Sequence, residues 1–104
     1  MSRTPIHPGE ILRGELDVLE ITPTELSRQI RVPPNRVTQI IAGKRSITGD
    51  TALRLGHWFG TSPQFWMNLQ TLFDVRTAEQ QTGKEIRGLP TRAVIAAGAQ
   101  RRRM

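Results

Sequence analysis

The stretch PNRVTQIIAGKRSIT, Pro34–Thr48, decides how the chain folds. Val37, Ile40 and Ile41 recur at helical spacing and share one face, whereas the positions between them are mostly polar. Gly43 follows, and glycine readily adopts the left-handed conformation that ends a helix. We therefore predict a helix that ends at Gly43, is anchored on its apolar side and exposes polar side chains on the other.

Capping residues and helix breakers predict four more helices around this one. Thr22 and Glu25 form a capping box, in which the threonine hydroxyl accepts the Glu25 amide and the Glu25 side chain reaches back. A residue before proline avoids the α conformation, so the short helix opened by Thr22 stops before Val32. No strand pattern appears, and we expect an all-α domain. Besides the central helix, which runs from Pro34 to Gly43, and the one opened by Thr22, we predict three helices. One begins at Pro8, one runs from Thr48 to Gly60, and one runs from Ser62 to about Thr82.

The composition limits what the chain can be. Its 104 residues suffice for one domain with a modest core. No apolar run approaches the roughly 18 residues of a membrane span, and the first ten residues lack the apolar segment of a signal peptide. The absence of cysteine excludes disulfides, thiolate catalysis and thiolate metal ligands. It is consistent with a reducing cytoplasm, where we expect the protein to work.

Positive charge is unevenly distributed over a chain whose formal net charge is +6. Residues 1–83 are nearly neutral, and residues 84–104 supply most of the excess. The latter have too little apolar area to offset the entropy of ordering, so we expect a helical domain over 1–83 and a flexible, disordered basic tail over 84–104. Within the domain, residues 26–49 carry five cations and no acid. Such a face suits a polyanion, although a solvated charged surface would give the same pattern.

Two short helices joined by a turn of about four residues form the helix-turn-helix shape. Because the third helix is anchored by its apolar side, its outward side chains can meet base edges in the major groove, where Asn and Gln pair with adenine and Arg with guanine. The alternative is that these side chains form only the ordinary polar face of an amphipathic helix. The absence of acids from residues 26–49 and the residues of the turn make this alternative less favourable. The predicted base-reading residues are Asn35, Arg36, Thr38 and Gln39, and the predicted phosphate-binding residues are Thr24, Arg31, Lys44 and Arg45.

Four phrases in order resemble the HigA-type, or VapI-like, antitoxins of the Cro/lambda-repressor (XRE) class of helix-turn-helix proteins. They are HPGEILRGEL, TELS, NRVTQIIAGKRSITGDTALRL and GTSPQFWMNLQ, within residues 6–75. The resemblance implies an antitoxin that neutralises a small RelE-like ribonuclease toxin encoded beside it. It also implies a homodimer that binds double-stranded operator DNA and represses its own operon. A stand-alone repressor without a toxin would share all these residues, so both functions remain open.

The chain departs from the family pattern around the second and third helices. Pro33 and Pro34 stand where the third helix often begins with Ser, Thr or Gln, and Pro23 replaces a glutamine that commonly contacts phosphate. Arg31 occupies a turn position that is frequently glycine, and a left-handed arginine there would cost about 1 kcal/mol. These differences affect the expected operator sequence more than the expected function.

The last predicted helix has a wider apolar stripe than one small core needs. Part of the stripe must cover the helix-turn-helix, and we expect the rest to pack against a second copy, in a twofold dimer whose recognition helices lie about 34 Å apart. Trp58 is expected to be half-buried under a neighbouring loop, with an exposed anchor for a partner as the alternative. The predicted dimerisation residues are Phe65, Leu69, Leu72 and Phe73.

Other classes of function find little support in the sequence. His7 and His57 are far apart, and no HExxH motif, Gly-rich phosphate loop or Ser elbow occurs, so we expect no catalysis, no metal and no cofactor. The arginine-rich tail would suit an RNA-binding module, but it lacks aromatic residues to stack on bases. Glu15 and Asp17 on the acidic first helix are a candidate surface for a basic toxin.

Overall fold

The computed structural model describes residues 4–103, which form six α-helices joined by short turns. The predicted all-α fold of five helices is confirmed, with a further helix after the fifth. No strand occurs in the described part of the chain. The helices are α1 (Pro8–Leu19), α2 (Pro23–Gln29), α3 (Arg36–Ile41), α4 (Gly49–Phe59), α5 (Pro63–Arg87) and α6 (Arg92–Arg103).

Hydroxyl side chains fix the starts of α2, α4 and α5, as predicted. Thr22, Thr48 and Ser62 each accept the backbone N–H three residues further on, at 3.1, 3.4 and 3.1 Å. The second half of the predicted capping box does not form, because the Glu25 carboxylate binds the Arg28 guanidinium instead of the Thr22 amide. One of the exposed amides at each helix start is still satisfied.

The start of α1 is held by His7, whose capping role the sequence did not indicate. Its Nδ1 accepts the Gly9 N–H at 2.9 Å, and the Glu10 carboxylate accepts the His7 N–H at 3.0 Å. The ring of Phe73 meets the imidazole edge-on at a centroid distance of 4.8 Å. Gly9 lies so close to α3 that an added Cβ would stand 2.0 Å from the Ile40 carbonyl oxygen. Glycine therefore permits α1 to approach the backbone of α3.

One apolar core joins the first five helices. Its largest member is Trp66, which is buried and donates its indole N–H to the Thr61 hydroxyl at 3.0 Å. Full burial of an aliphatic or aromatic side chain contributes about 1.5–3 kcal/mol, and the satisfied indole avoids the cost of a buried unpaired donor. The buried apolar residues are Leu12, Leu16, Leu26, Ile30, Val37, Ile40, Ile47, Ala52, Leu55 and Trp66.

The start of α3 differs from the prediction. The helix begins at Arg36 instead of Pro34, because residues 33–36 form a turn in which the Pro33 carbonyl accepts the Arg36 N–H at 2.9 Å. Pro33 precedes a proline, which disfavours the α conformation. Asn35 becomes the residue before the helix, and its side chain makes no capping hydrogen bond. The predicted helix end is confirmed, since Gly43 has φ 75°.

The end of α5 also differs, because the helix continues to Arg87 rather than stopping near Thr82. Gly83 lies inside the helix and is buried by the Arg87 side chain, whose Nη1 would be 3.2 Å from a Cβ at this position. A single interior glycine costs about 1 kcal/mol and does not end a helix whose neighbours favour it. The expected domain boundary at residue 83 therefore falls within a continuous helix.

The segment expected to be a disordered tail contains α6. The helix is rich in alanine, which has the highest intrinsic helix propensity. None of its described side chains belongs to the core, and Val94 and Ile95 are 62% and 66% exposed. Local propensity, rather than burial, accounts for its helical backbone. The side chains of Arg101–Arg103, on which the expected charge of the tail depends, lie outside the described residues.

Candidate nucleic-acid interface

The turn between α2 and α3 contains a left-handed arginine. Arg31 has φ 57°, and the Val32 N–H donates to the Ser27 carbonyl at 3.0 Å. The Arg31 N–H donates to the Arg28 carbonyl at 3.2 Å, so the end of α2 has the paired hydrogen bonds that usually accompany glycine. The side chain of Arg31 is exposed, next to the turn, where phosphate binding was predicted.

Ser27 joins the two helices of the motif directly. It is fully buried, and its hydroxyl accepts the Val37 N–H at 3.2 Å. This bond satisfies one of the free amides in the first turn of α3 and sets the distance between α2 and α3. Sequence analysis missed Ser27, because nothing in a lone serine on a short helix indicates a partner in the next helix.

Arg54 of α4 binds the backbone of the same turn. Its Nη1 donates to the Ile30 carbonyl at 2.9 Å, and its Nε donates to the Asp50 carboxylate at 2.9 Å. The guanidinium therefore satisfies a carbonyl at the end of α2 that has no partner within the helix. The spacing of Asp50 and Arg54 would have revealed the ion pair, but not the contact with α2.

The predicted base-reading residues lie together at the start and along the exposed side of α3. Asn35 and Thr38 are exposed, and Arg36 and Gln39 are half-buried. Val37 and Ile40 are completely buried on the opposite side. The arrangement expected from the sequence, with one anchored face and one polar face, is therefore present, and the donors and acceptors of these side chains suit the major groove. The four positions are Asn35, Arg36, Thr38 and Gln39.

The loop after α3 carries two of the predicted phosphate-binding residues. Lys44 and Arg45 are exposed, and the Lys44 N–H donates to the Gln39 carbonyl at 2.9 Å beyond the left-handed Gly43. The Arg45 Nε donates to the Oε1 of Gln39 at 3.0 Å. A phosphate-binding candidate thus contacts a base-reading candidate, which the sequence did not indicate.

The far end of this loop is held by α5. Gln70 is buried, and its Oε1 accepts the Ile47 N–H at 2.8 Å, while its Nε2 donates to the Asp74 carboxylate at 2.9 Å. Ile47 itself is in the core. Sequence analysis missed this contact, since Gln70 stands in a helix in which polar residues are common.

The cations of this surface differ in whether they have a carboxylate partner. Glu25 accepts hydrogen bonds from Arg28 and Gln29, and these bonds lower the pKa of its carboxyl to about 2. Arg28 therefore has a carboxylate partner. Within residues 4–103, no carboxylate forms an ion pair with the cations that surround α3, and these are Arg31, Arg36, Lys44 and Arg45. Thr24, the remaining predicted phosphate contact, is exposed at the start of α2.

The predicted dimerisation residues divide into two groups. Phe65 and Leu72 are 43% and 49% exposed, as an unpartnered interface would be. Leu69 packs against the core, and Phe73 contacts His7 within the same chain. Leu69, Leu72 and Phe73 also line a shallow hollow of about 110 Å³. Dimerisation through α5 therefore stays a prediction that Phe65 and Leu72 support better than the other two.

Trp58 is half-buried, as expected, and packs against a neighbouring ring. Its indole meets Phe59 edge-on at 4.8 Å. The tryptophan also lines an open groove of about 460 Å³ between α2 and α4, together with Leu53, Arg54 and His57.

Two properties of residues 4–103 bear on other functions. No group of three or more His, Cys, Asp or Glu side chains is placed to hold a metal ion in this part of the chain. Of the helices that the structure describes, none is both long and apolar enough to cross a membrane.

Comparison with known proteins identifies the family. No family model matches the chain. Virulence-associated protein I of Dichelobacter nodosus is 46% identical over 76 residues, which cover 72% of this chain and 70% of that protein. A HigA-family antidote protein from Coxiella burnetii has a TM-score of 0.84 and 49% identity, over 86% of this chain and 98% of its own. The Pseudomonas aeruginosa antitoxin HigA, solved with the higBA promoter, has a TM-score of 0.81 and 45% identity over 85% and 97%. The chain belongs to the HigA family of Cro/lambda-repressor-like helix-turn-helix antitoxins.

Proposed function

We propose that this protein is the antitoxin of a type II toxin–antitoxin pair. It represses its own operon by binding operator DNA through α3, and it neutralises a RelE-like ribonuclease toxin. The observation that carries the proposal is the exposed polar face of α3 set among cations that lack carboxylate partners. The related HigA of Pseudomonas aeruginosa was solved with promoter DNA, which supports the same use of the motif here.

Operator binding divides the interface into two sets of residues. The four predicted base-reading side chains, Asn35, Arg36, Thr38 and Gln39, contact base edges. The cations of the turn before α3 and of the loop after it, together with Thr24, contact the backbone phosphates. The phosphate contacts provide affinity that depends on salt, whereas the base contacts provide sequence preference. The two sets can therefore be distinguished by separate measurements.

Homodimer formation accounts for the exposed apolar part of α5. Phe65 and Leu72 leave apolar surface in contact with water, and burying this surface against a second copy is favourable. A twofold dimer presents two copies of α3 to one face of DNA, about 34 Å apart. Sedimentation of the wild type and of Leu72→Arg tests this part, with a shift from dimer to monomer expected for the variant.

Toxin binding is assigned to the outer face of α1. Glu15, Asp17 and Glu20 are exposed there, and Val18 and Leu19 between them are 81% and 50% exposed. A ribonuclease needs a positive surface to bind RNA, so an acidic face with an apolar centre complements it. Reversal of the charges at positions 15 and 17 should release the toxin and leave DNA binding intact.

Bacterial growth tests the whole proposal. The small open reading frame beside this gene is expressed alone and then together with this chain, and culture density is followed. Arrest by the neighbour and rescue by this protein are the expected results. A harmless neighbour would contradict the antitoxin role and leave the alternative of a stand-alone repressor, for which the DNA-binding argument is unchanged.

A further inference from the structure

The contact between Arg45 and Gln39 fixes which way the glutamine amide faces. The Arg45 Nε lies 3.0 Å from the Gln39 Oε1. A guanidinium has five N–H donors and no acceptor, so only the oxygen of an amide can face it. The Nε2 of Gln39, which carries two hydrogens, is consequently the end of the amide that remains for a base.

Both residues are held in place by the surrounding backbone. Gly43 with φ 75° reverses the chain after α3, and the Lys44 N–H donates to the carbonyl of Gln39. The other end of the loop is anchored by the buried Ile47, whose N–H donates to Gln70. Gln39 is itself half-buried, which restricts its rotamers further. Arg45 is thus presented at the end of α3 by a short loop that is fixed on both sides.

The orientation of the amide changes the base that Gln39 can recognise. Bidentate recognition of adenine needs an acceptor for the N6 amino group and a donor for N7, so it needs both ends of the amide. Although Oε1 has a second lone pair, an adenine N6 amino group that approached it would meet the donor groups and positive charge of the Arg45 guanidinium, which disfavours a donor at this point. The pair therefore presents mainly donors to a base: the Gln39 Nε2 and the remaining N–H groups of the guanidinium. Guanine, with acceptors at O6 and N7, is the base that complements a donor-only surface in the major groove.

We propose that Arg45 and Gln39 act together as one specificity-determining unit that selects guanine, and that Arg45 prevents Gln39 from selecting adenine. The inference rests on the proposed operator binding through α3, and it specifies which base the operator carries at the position that this pair contacts. Arg45 therefore acts in base selection rather than only as a phosphate contact.

Selection of binding sites from randomised duplex DNA tests the unit. The full-length wild type is expected to enrich guanine over adenine by about tenfold to a hundredfold at one position of each half-site. Gln39→Ala identifies that position, because the preference there is lost. Arg45→Met retains the length of the side chain but frees the amide oxygen, and the preference is expected to shift toward adenine. Lys44→Met, which removes one charge from the same loop, is expected to weaken binding to all sequences and to leave the base preference unchanged.

Two results would contradict the joint selection of guanine by Arg45 and Gln39 while leaving operator binding intact. One is enrichment of adenine by the wild type at the position that Gln39→Ala identifies. The other is a uniform loss of affinity in Arg45→Met with no change in base preference, as in Lys44→Met. A wild type that enriches no sequence at all would contradict operator binding as well, so the two failures are distinguishable.

Discussion

The helix-turn-helix and the C-terminal helices of this protein differ in how their surfaces are supported. Ser27, Arg54 and Gln70 each connect a side chain of one segment to the backbone of another around α2, α3 and the following loop. Along the second half of α5 and in α6, apolar side chains such as Val75, Ile86 and Val94 are half or more exposed. A surface that must match base edges needs fixed positions, and the cross-segment hydrogen bonds of the helix-turn-helix supply them, whereas these exposed apolar side chains of the C-terminal helices have no such support from the core.

The close approach of α1 to α3 provides the strongest test of this comparison. Gly9→Ala places a Cβ against the backbone of Ile40, and backbone atoms cannot move aside as a flexible side chain would. We expect the free energy of unfolding to fall by about 3 kcal/mol in urea titrations. Gly14→Ala is the matched control, since nothing lies within 4 Å of its added Cβ and it should stabilise by about 0.5–1 kcal/mol. Equal effects of the two substitutions would contradict the packing described here.

The buried hydrogen bond between α2 and α3 gives the next largest effect. Ser27→Ala leaves the Val37 N–H buried without a partner, which should lower the free energy of unfolding by about 1–3 kcal/mol. Exchange of the Val37 amide with solvent deuterium should also accelerate. Ser46→Ala, at an exposed serine, serves as the control and should change stability by less than about 0.5 kcal/mol.

Loss of the Gln39 side chain should affect binding rather than folding. Gln39→Ala is expected to cost about 1–3 kcal/mol of affinity on the operator and little on random duplex, as measured by fluorescence anisotropy. Gln81→Ala, on the exposed part of α5, should change neither affinity. Equal losses of affinity on operator and random DNA would remove Gln39 from base recognition.

A pH dependence of stability should originate at the start of α1. Burial lowers the pKa of His7 below its usual 6.5, although the carboxylates of Glu10 and Asp74 oppose the shift. The folded protein binds this proton less readily than the unfolded chain. The stability from neutral His7 is therefore fully present above pH 6.5 and decreases as the pH falls below it. His7→Asn keeps a capping acceptor and should flatten the dependence of stability on pH below pH 6.5 in thermal melts. An unchanged slope would exclude His7 as its source.

The smallest expected effect concerns the basic tail, which we propose as a separate electrostatic segment. Since α5 ends at Arg87, deletion of residues 88–104 removes the tail without shortening that helix. Affinity for DNA should fall, the slope of log K against log salt should decrease by about 0.9 for each lost phosphate contact, and sequence preference should not change. A truncated protein with the salt slope of the full chain would show that the tail does not contact DNA.

Most of the fold could be predicted because its signals are local. Thr48 and Ser62 cap helices through contacts three residues away, and Gly43 and Gly60 end helices by their own conformation. The polar face of α3 follows equally from the spacing of its apolar residues. The predicted end of α5 is wrong because a glycine near the end of an apolar stripe resembles a helix stop, whereas the side chain of Arg87 covers Gly83 within the helix.

The remaining features depend on contacts between distant segments. Ser27, Gln70 and Arg54 bind backbone atoms ten to 24 residues away, and no pattern around these residues indicates the partner. The pairing of Arg45 with Gln39 likewise requires the geometry of the loop. Sequence analysis thus located the residues of the candidate interface but not the bonds that orient them.

The left-handed Arg31 has a consequence for the selection of variants. Replacing it with glycine would remove about 1 kcal/mol of backbone strain and, with it, a cation next to the proposed DNA surface. A library screened for thermal stability would therefore enrich Arg31→Gly, whereas one screened for repression would discard it. At this position, selection for thermal stability and selection for repression therefore lead to different residues.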